Sequence, residues 1–130
     1  MTDNATAFVF PGQGSQKVGM LGAAYQRFAA VRDTYTEASQ VLGYDMWDLI
    51  ANGRKDALNL TETTQPVLLT SGVSLWRAWR EQGGTEPSIM AGHSLGEFSA
   101  LVCAGALEFA DAVALVKQRG AFMQTAVPVG

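Results

Sequence analysis

Ser88-Ile89-Met90-Ala91-Gly92-His93-Ser94-Leu95-Gly96-Glu97 reads as a short apolar strand that becomes a helix within a few residues. The run Ser88 to Gly92 has the apolar character of a buried strand, and Leu95 to Ala104 has that of a helix. Between them lies Gly92-His93-Ser94-Leu95-Gly96, a Gly-x-Ser-x-Gly pentapeptide. A serine on such a sharp strand-to-helix turn is lifted clear of the sheet, the arrangement called a nucleophile elbow. The bland alternative is a tight turn whose serine merely caps the helix. Two physical features favour chemistry. The helix behind Ser94 presents a partial positive charge at its N-terminus, and the Leu95 N–H is placed to donate to a developing oxyanion. The nucleophile needs a general base, which in elbow enzymes is a histidine later in the chain. No histidine follows Ser94. His93, the sole histidine, adjoins Ser94, and neighbouring side chains at a strand end point to opposite faces. It reads as a histidine hydrogen-bonded near the elbow to hold its shape, with Gly92 and Gly96 as the other supports.

Upstream, Ala5 to Phe10 is β-prone and is stopped by Pro11-Gly12-Gln13-Gly14-Ser15. Gln13 therefore sits after a strand, at the end where α/β sheets place their ligands. Its amide suits an oxyanion hole shared with Leu95, and a plain strand-to-helix turn explains it equally well. Neither G-x-G-x-x-G nor a Walker lysine is present, so this loop is no phosphate fingerprint. The remaining pattern predicts a helix from Met20 to about Leu42, a short one over Met46 to Ala51, and a polar loop from Arg54 to Thr64. Pro66 is placed as the first residue of a longer helix. That helix shows Leu68, Gly72, Leu75 and Trp79 on one face and closes at Gly83-Gly84. A last helix over about Phe109 to Gln124 fades into Ala126 to Gly130. Two strands separated by helices imply a parallel sheet with helical layers, the α/β class. Two strands make a poor sheet, so the order resembles the opening portion of a larger α/β domain occupying residues 1–130.

On the last helix, Ala112, Leu115, Val116, Arg119, Phe122 and Met123 recur at the spacing of one stripe. An arginine on an apolar stripe either reaches out to solvent or meets a partner, because an unpaired buried charge is costly. Its planar fork suits a carboxylate. That carboxylate is either a protein Asp or Glu or one carried by a substrate beside Ser94, and composition leaves both open.

With 48% hydrophobic and 16% charged residues, the 130-residue chain is suited to one globular domain with a buried core. A net charge of −3, without basic clustering, argues against nucleic acid or an anionic membrane as a partner. The longest apolar stretch, Ala100 to Leu107, is too short to span a bilayer. Met1-Thr2-Asp3-Asn4 lacks the basic and apolar regions of a signal peptide. Cys103 is the single cysteine and reads as a small buried hydrophobe. A cytoplasmic enzyme is the expectation.

Four motifs stand in one order: Phe-Val-Phe-Pro-Gly-Gln-Gly-Ser-Gln at 8–16, Thr-Gln-Pro at 64–66, Gly-His-Ser-Leu-Gly-Glu at 92–97 and Gln-Arg-Gly at 118–120. Together they closely resemble the amino-terminal part of malonyl-CoA:acyl carrier protein transacylases and the acyltransferase domains of fatty-acid and polyketide synthases. The resemblance covers essentially the whole chain. It implies an α/β-hydrolase-like core and assigns roles residue by residue. Ser94 is the nucleophile, Gln13 and the Leu95 N–H form the oxyanion hole, and Arg119 holds the free carboxylate of a malonyl group. Gln65 matches a glutamine lining the same cleft, with a purely structural place near a helix start as its alternative. The implied reaction moves malonyl from coenzyme A to the phosphopantetheine thiol of acyl carrier protein through a serine ester, with no metal or redox cofactor.

The resemblance also implies what to expect beyond its span. The family is about twice this length or more, and its catalytic histidine, its ferredoxin-like subdomain and the rest of its main sheet lie after the point matching Gly130. The expectation is an amino-terminal fragment with nucleophile, oxyanion hole and carboxylate clamp, slow to turn over and inclined to self-associate through uncovered core surface. The full-length family member is expected to be a monomer. Two rival readings remain: a serine hydrolase or thioesterase, which leaves Arg119 without a necessary role, and a catalytically dead interaction module.

Overall fold

A computed structural model describes residues 5–127. The readings of Met1 to Asn4 and of Pro128 to Gly130 lie outside the described residues. The chain begins with strand β1 (Ala7–Phe10), followed by helices α1 (Gly22–Arg27), α2 (Ala29–Leu42), α3 (Met46–Asn52), α4 (Lys55–Leu58) and α5 (Thr61–Glu81). Strand β2 (Ile89–Gly92) leads into α6 (Leu95–Cys103), and α7 (Phe109–Ala126) completes the order. The two strands pair in parallel, with Ala7 opposite Ile89 and Phe10 opposite Gly92. The α/β expectation is met, and among the described residues the sheet has these two strands alone.

Alternation along β1 turns Phe8 and Phe10 toward α5, where Phe8 meets the edges of Trp76 and Trp79. Phe10 packs over Gly72, where an added Cβ would stand 3.1 Å from its ring. The opposite sheet face is bare: Val9 is 75% and Ile89 64% exposed.

Helix α5 is the hub. It packs against α2, α6 and α7, and every residue from Thr64 to Ser71 is buried. Its N-terminal half is therefore covered all round, as expected of a central helix. This corrects the one-face reading, since Leu75 and Trp79, 45% and 42% exposed, point away from that core. The core joins Val31, Tyr35, Met46, Ile50, Val67, Leu69, Val113 and Val116. Inside it the Tyr35 hydroxyl and Ser71 Oγ share a 2.6 Å hydrogen bond.

Three further expectations change. The helix predicted over Met20 to Leu42 is two helices, broken where Phe28 adopts extended backbone. The polar loop over Arg54 to Thr64 contains α4, and α5 starts at Thr61, which puts Pro66 at its sixth residue rather than its first. The Thr64 hydroxyl anchors this early start: its one proton is within reach of the Leu58 carbonyl at 2.6 Å and the Leu60 carbonyl at 2.9 Å. At the sixth position Pro66 has no N–H to donate to the Glu62 carbonyl, so α5 lacks one internal hydrogen bond there. Among the described residues no helix is long and apolar enough to cross a membrane.

Candidate active site

The site grows from the end of β2. Ser94 has φ 55° and ψ −115°, values of the first central position of a type II′ turn, a place glycine normally fills. The turn closes where the Gly96 N–H donates to the His93 carbonyl at 3.0 Å. A non-glycine residue held in such a conformation stores strain, and the surroundings hold it firmly. An added Cβ at Gly92 would stand 2.0 Å from the backbone of Gly96, and one at Gly96 would stand 2.1 Å from the Phe10 carbonyl oxygen. At Gly12 it would stand 2.8 Å from the His93 carbonyl oxygen. Only hydrogen fits at these positions, so both glycines of the pentapeptide and one of the Pro11–Ser15 loop are required by close backbone approach.

Ser94 is exposed, and Leu95 behind it is buried to 1%. Leu95 opens α6, so its N–H has no acceptor within the helix and stands beside the serine. The His93 side chain is exposed. The His93 carbonyl contributes to the elbow by accepting from the Gly96 N–H in the turn.

Arg119 reaches the elbow from α7. Its Nη2 donates to Ser94 Oγ at 3.1 Å, and its Nη1 donates to Gln65 Oε1 at 2.8 Å. The Arg119 Cζ lies 5.3 Å from the centroid of the Phe98 ring, within cation–π range. Gln65, 1% exposed, donates through Nε2 to the Met123 sulfur at 3.1 Å. Both ends of this buried amide are thus engaged, and one of them fixes the guanidinium. Among the described residues no carboxylate forms an ion pair with Arg119; the recorded pairs are Arg54–Asp56, Arg77–Glu37 and Arg80–Glu86. Of the two kinds of partner the sequence left open, a protein Asp or Glu is not found among the described residues.

The stripe proposed for α7 is rotated from its actual buried face. Phe109, Ala112, Val113, Val116 and Gly120 face the core, whereas Leu115, Phe122 and Met123 are 48%, 66% and 40% exposed. Gly120 carries no hydrophobic signal, yet its face is the one that meets α5: a Cβ there would stand 2.7 Å from the Thr61 carbonyl oxygen. Arg119 lies at the border of this face, partly buried, so its head group emerges at the elbow.

Gln13 lies in the exposed loop after β1, and its Nε2 donates to Thr61 Oγ1 at 3.3 Å. Ser94, Leu95, Arg119 and Gln65 thus form one constellation, with Gln13 tied to the start of α5. Thr61, Phe98 and Gln124 escaped the sequence reading, and Met123 was read there only as part of an apolar stripe. Their only signal was helical spacing from residues already singled out, such as Phe98 one turn after Ser94.

A family model described as the acyl transferase domain matches residues 7–130. The malonyl CoA-acyl carrier protein transacylase of Salmonella typhimurium is 60% identical over 124 residues, covering 95% of this chain and 40% of that protein. Among solved structures, a malonyl-transacylase in complex with its type II PKS acyl-carrier protein matches with a TM-score of 0.95 at 55% identity. That match covers 98% of this chain and 41% of that one. The malonyl CoA-acyl carrier protein transacylase of Coxiella burnetii matches with a TM-score of 0.95 at 53% identity, covering 97% and 40%. The chain spans about 40% of the length of the relatives it matches. It belongs to the acyl transferase domain family.

Proposed function

We propose that this chain carries the acyl-accepting half of a malonyl-CoA:acyl carrier protein transacylase site, with Ser94 as nucleophile and Arg119 as the carboxylate clamp. The observation that carries this reading is the Arg119 guanidinium, held on buried Gln65 with its other nitrogen 3.1 Å from Ser94 Oγ. A malonyl thioester has its free carboxylate one methylene from the reacting carbonyl. A guanidinium beside the serine oxygen suits that substrate, and a simple hydrolase needs no such group.

In the proposed step Ser94 Oγ attacks the thioester carbonyl carbon and its proton passes to a base. The Leu95 N–H and the Gln13 amide donate to the tetrahedral oxyanion. The carbon–sulfur bond breaks, coenzyme A leaves with its thiol, and a serine ester remains. Attack by the phosphopantetheine thiol of acyl carrier protein on that ester returns the malonyl group to a thioester and frees Ser94. The reading requires no metal or redox cofactor. Arg119 is the recorded partner of Ser94 Oγ, and a guanidinium remains protonated and cannot act as the base. The proton therefore goes to an acceptor other than Arg119. A serine oxyanion hole and bound substrate retain part of the rate enhancement when a triad member is lacking.

Intact-mass spectrometry after incubation with malonyl-CoA or acetyl-CoA tests this reading. A malonyl adduct that needs Ser94 is expected. Arg119→Ala should reduce malonylation about 10- to 100-fold, the scale of a lost hydrogen bond to a charged group, and leave acetylation nearly unchanged. Equal loss with both thioesters would favour a hydrolase-like site, and no adduct with either would favour an interaction module.

A further inference from the structure

We infer that Met123 Sδ is an oxidation site that controls the Gln65–Arg119 pair, so that peroxide turns the guanidinium away from a substrate carboxylate. The consequence for acyl transfer rests on the reading above, while the sulfur contact stands apart from it. A guanidinium carries donors alone, so Gln65 must turn Oε1 toward Arg119, where it accepts from Nη1 at 2.8 Å. Nε2 is left facing Met123 and donates to its sulfur at 3.1 Å. Gln65 is 1% exposed, and among the described residues this sulfur is the recorded partner of its NH2 group. A thioether is a weak acceptor, yet here it completes the pairing of a buried amide.

Met123 is also the methionine an oxidant can reach. It is 40% exposed, whereas Met46 is fully buried and Met20 and Met90 are partly covered. In the oxidation the sulfur attacks one oxygen of hydrogen peroxide. The S–O bond forms as the O–O bond breaks, and the other oxygen leaves as water with the proton of the first. Sulfur gives up two electrons and peroxide takes them. The product sulfur is electron-poor and no longer suits the Gln65 N–H, while its new oxygen is a polar acceptor. Gln65 cannot keep its 3.1 Å spacing to a sulfur that has ceased to accept, and Oε1 moves with Nε2. Met123 follows Arg119 by four residues on α7, so both side chains lie on one flank of the helix. The sulfoxide oxygen therefore competes for guanidinium hydrogens that a substrate carboxylate would take.

Treatment of the chain with hydrogen peroxide, followed by peptide mass mapping and intact-mass time courses with malonyl-CoA and acetyl-CoA, tests the inference. Met123 sulfoxide should form ahead of Met46 sulfoxide. Malonylation should fall about three- to tenfold, the scale of one hydrogen bond, with acetylation changed at most about twofold. Methionine sulfoxide reductase with dithiothreitol should restore malonylation and dithiothreitol alone should not, which separates Met123 from Cys103. Met123→Leu leaves the Gln65 NH2 unpaired and should start slower, but its malonyl-to-acetyl ratio should not respond to peroxide. An unchanged ratio in the oxidised wild-type chain, or an equal fall in Met123→Leu, would overturn the inference. The reductase arm decides without a variant if Met123→Leu fails to fold. A wild-type chain that forms no ester would refute the acyl-transfer reading instead. The side-chain NH2 signals of Gln65 in the 15N-labelled chain, assigned by their loss in Gln65→Glu, then decide. They should shift on oxidation and return with the reductase, and unmoved signals would refute the sulfur's control of the amide.

Discussion

Arg119 Nη1 donates to Gln65 Oε1 at 2.8 Å, so a residue that is itself 1% exposed fixes the guanidinium at the elbow. The pair is neutral amide to cation, which orients the charge without cancelling it. Gln65→Glu is therefore expected to fold and yet to depress malonylation by more than tenfold, because the new carboxylate would occupy the charge meant for substrate. Intact-mass time courses with malonyl-CoA and acetyl-CoA check this; malonylation at the wild-type rate would contradict the clamp.

The Ser94 backbone stores strain at φ 55° and ψ −115°. Ser94→Gly should relieve it and stabilise the fold by about 1 kcal/mol or more, while abolishing acylation. Ser94→Ala should also abolish acylation without that gain. Urea unfolding midpoints of the two variants, compared with wild type, measure the difference. Equal midpoints for Ser94→Gly and Ser94→Ala would show that the turn is unstrained.

Gly96→Ala places a methyl group 2.1 Å from the Phe10 carbonyl oxygen, a backbone atom with no flexible end to move aside. A loss of at least about 3 kcal/mol is expected, at the upper end for overpacking. Thermal unfolding followed by circular dichroism checks it. Gly14→Ala tests a different constraint, since Gly14 has φ 114° but no atom within 4 Å of its added Cβ. It should cost less than Gly96→Ala.

Burial pushes the Tyr35 hydroxyl up to about 12 from its ordinary 10.0, against the lowering effect of hydrogen bonds with Ser71 and Ser74. Burial also pushes the Cys103 thiol up to about 12 from 9.0, with Arg77 opposing. Each group loses its proton at lower pH when unfolded than when folded. Their contribution to stability is therefore complete below about pH 9 and is lost as pH rises toward 12. Urea midpoints measured from pH 8 to 11 should fall steadily above 9. At pH 8 Cys103 should react with a disulfide reagent at least about tenfold more slowly in the native chain than in urea, since the thiolate is the reactive form.

Val9 and Ile89 leave one sheet face apolar and open, although parallel sheets are normally covered on both faces. Concentration-dependent self-association is expected, and Val9→Lys with Ile89→Lys should weaken it. Sedimentation velocity at several concentrations decides; a monomer throughout would show that the bare face is tolerated.

The Gly-x-Ser-x-Gly elbow, its strand and helix, the glycine-rich loop after the first strand and the α/β class were legible because each rests on local chemistry. Glycine spacing, strand-to-helix change and turn residues are written within a few positions of one another. The start of α5 was not, because Thr61 to Gln65 become helical through contacts with α7 that lie some sixty residues away in sequence, such as the Gln124 bond to Thr61. The buried face of α7 was misread for a related reason. Gly120 marks that face by closeness of backbones, which a search for apolar residues passes over.

The sequence by itself determined that a serine sits on a sharp turn at the head of a helix, and that an arginine on a later helix either reaches solvent or meets a partner. Only the tertiary structure decided that the two meet. Packing of α6 and α7 around the buried hub α5 brings Arg119 to 3.1 Å from Ser94 and sets Gln65 behind it. Helical periodicity fixes which residues share a face, whereas the docking of whole helices fixes which faces converge.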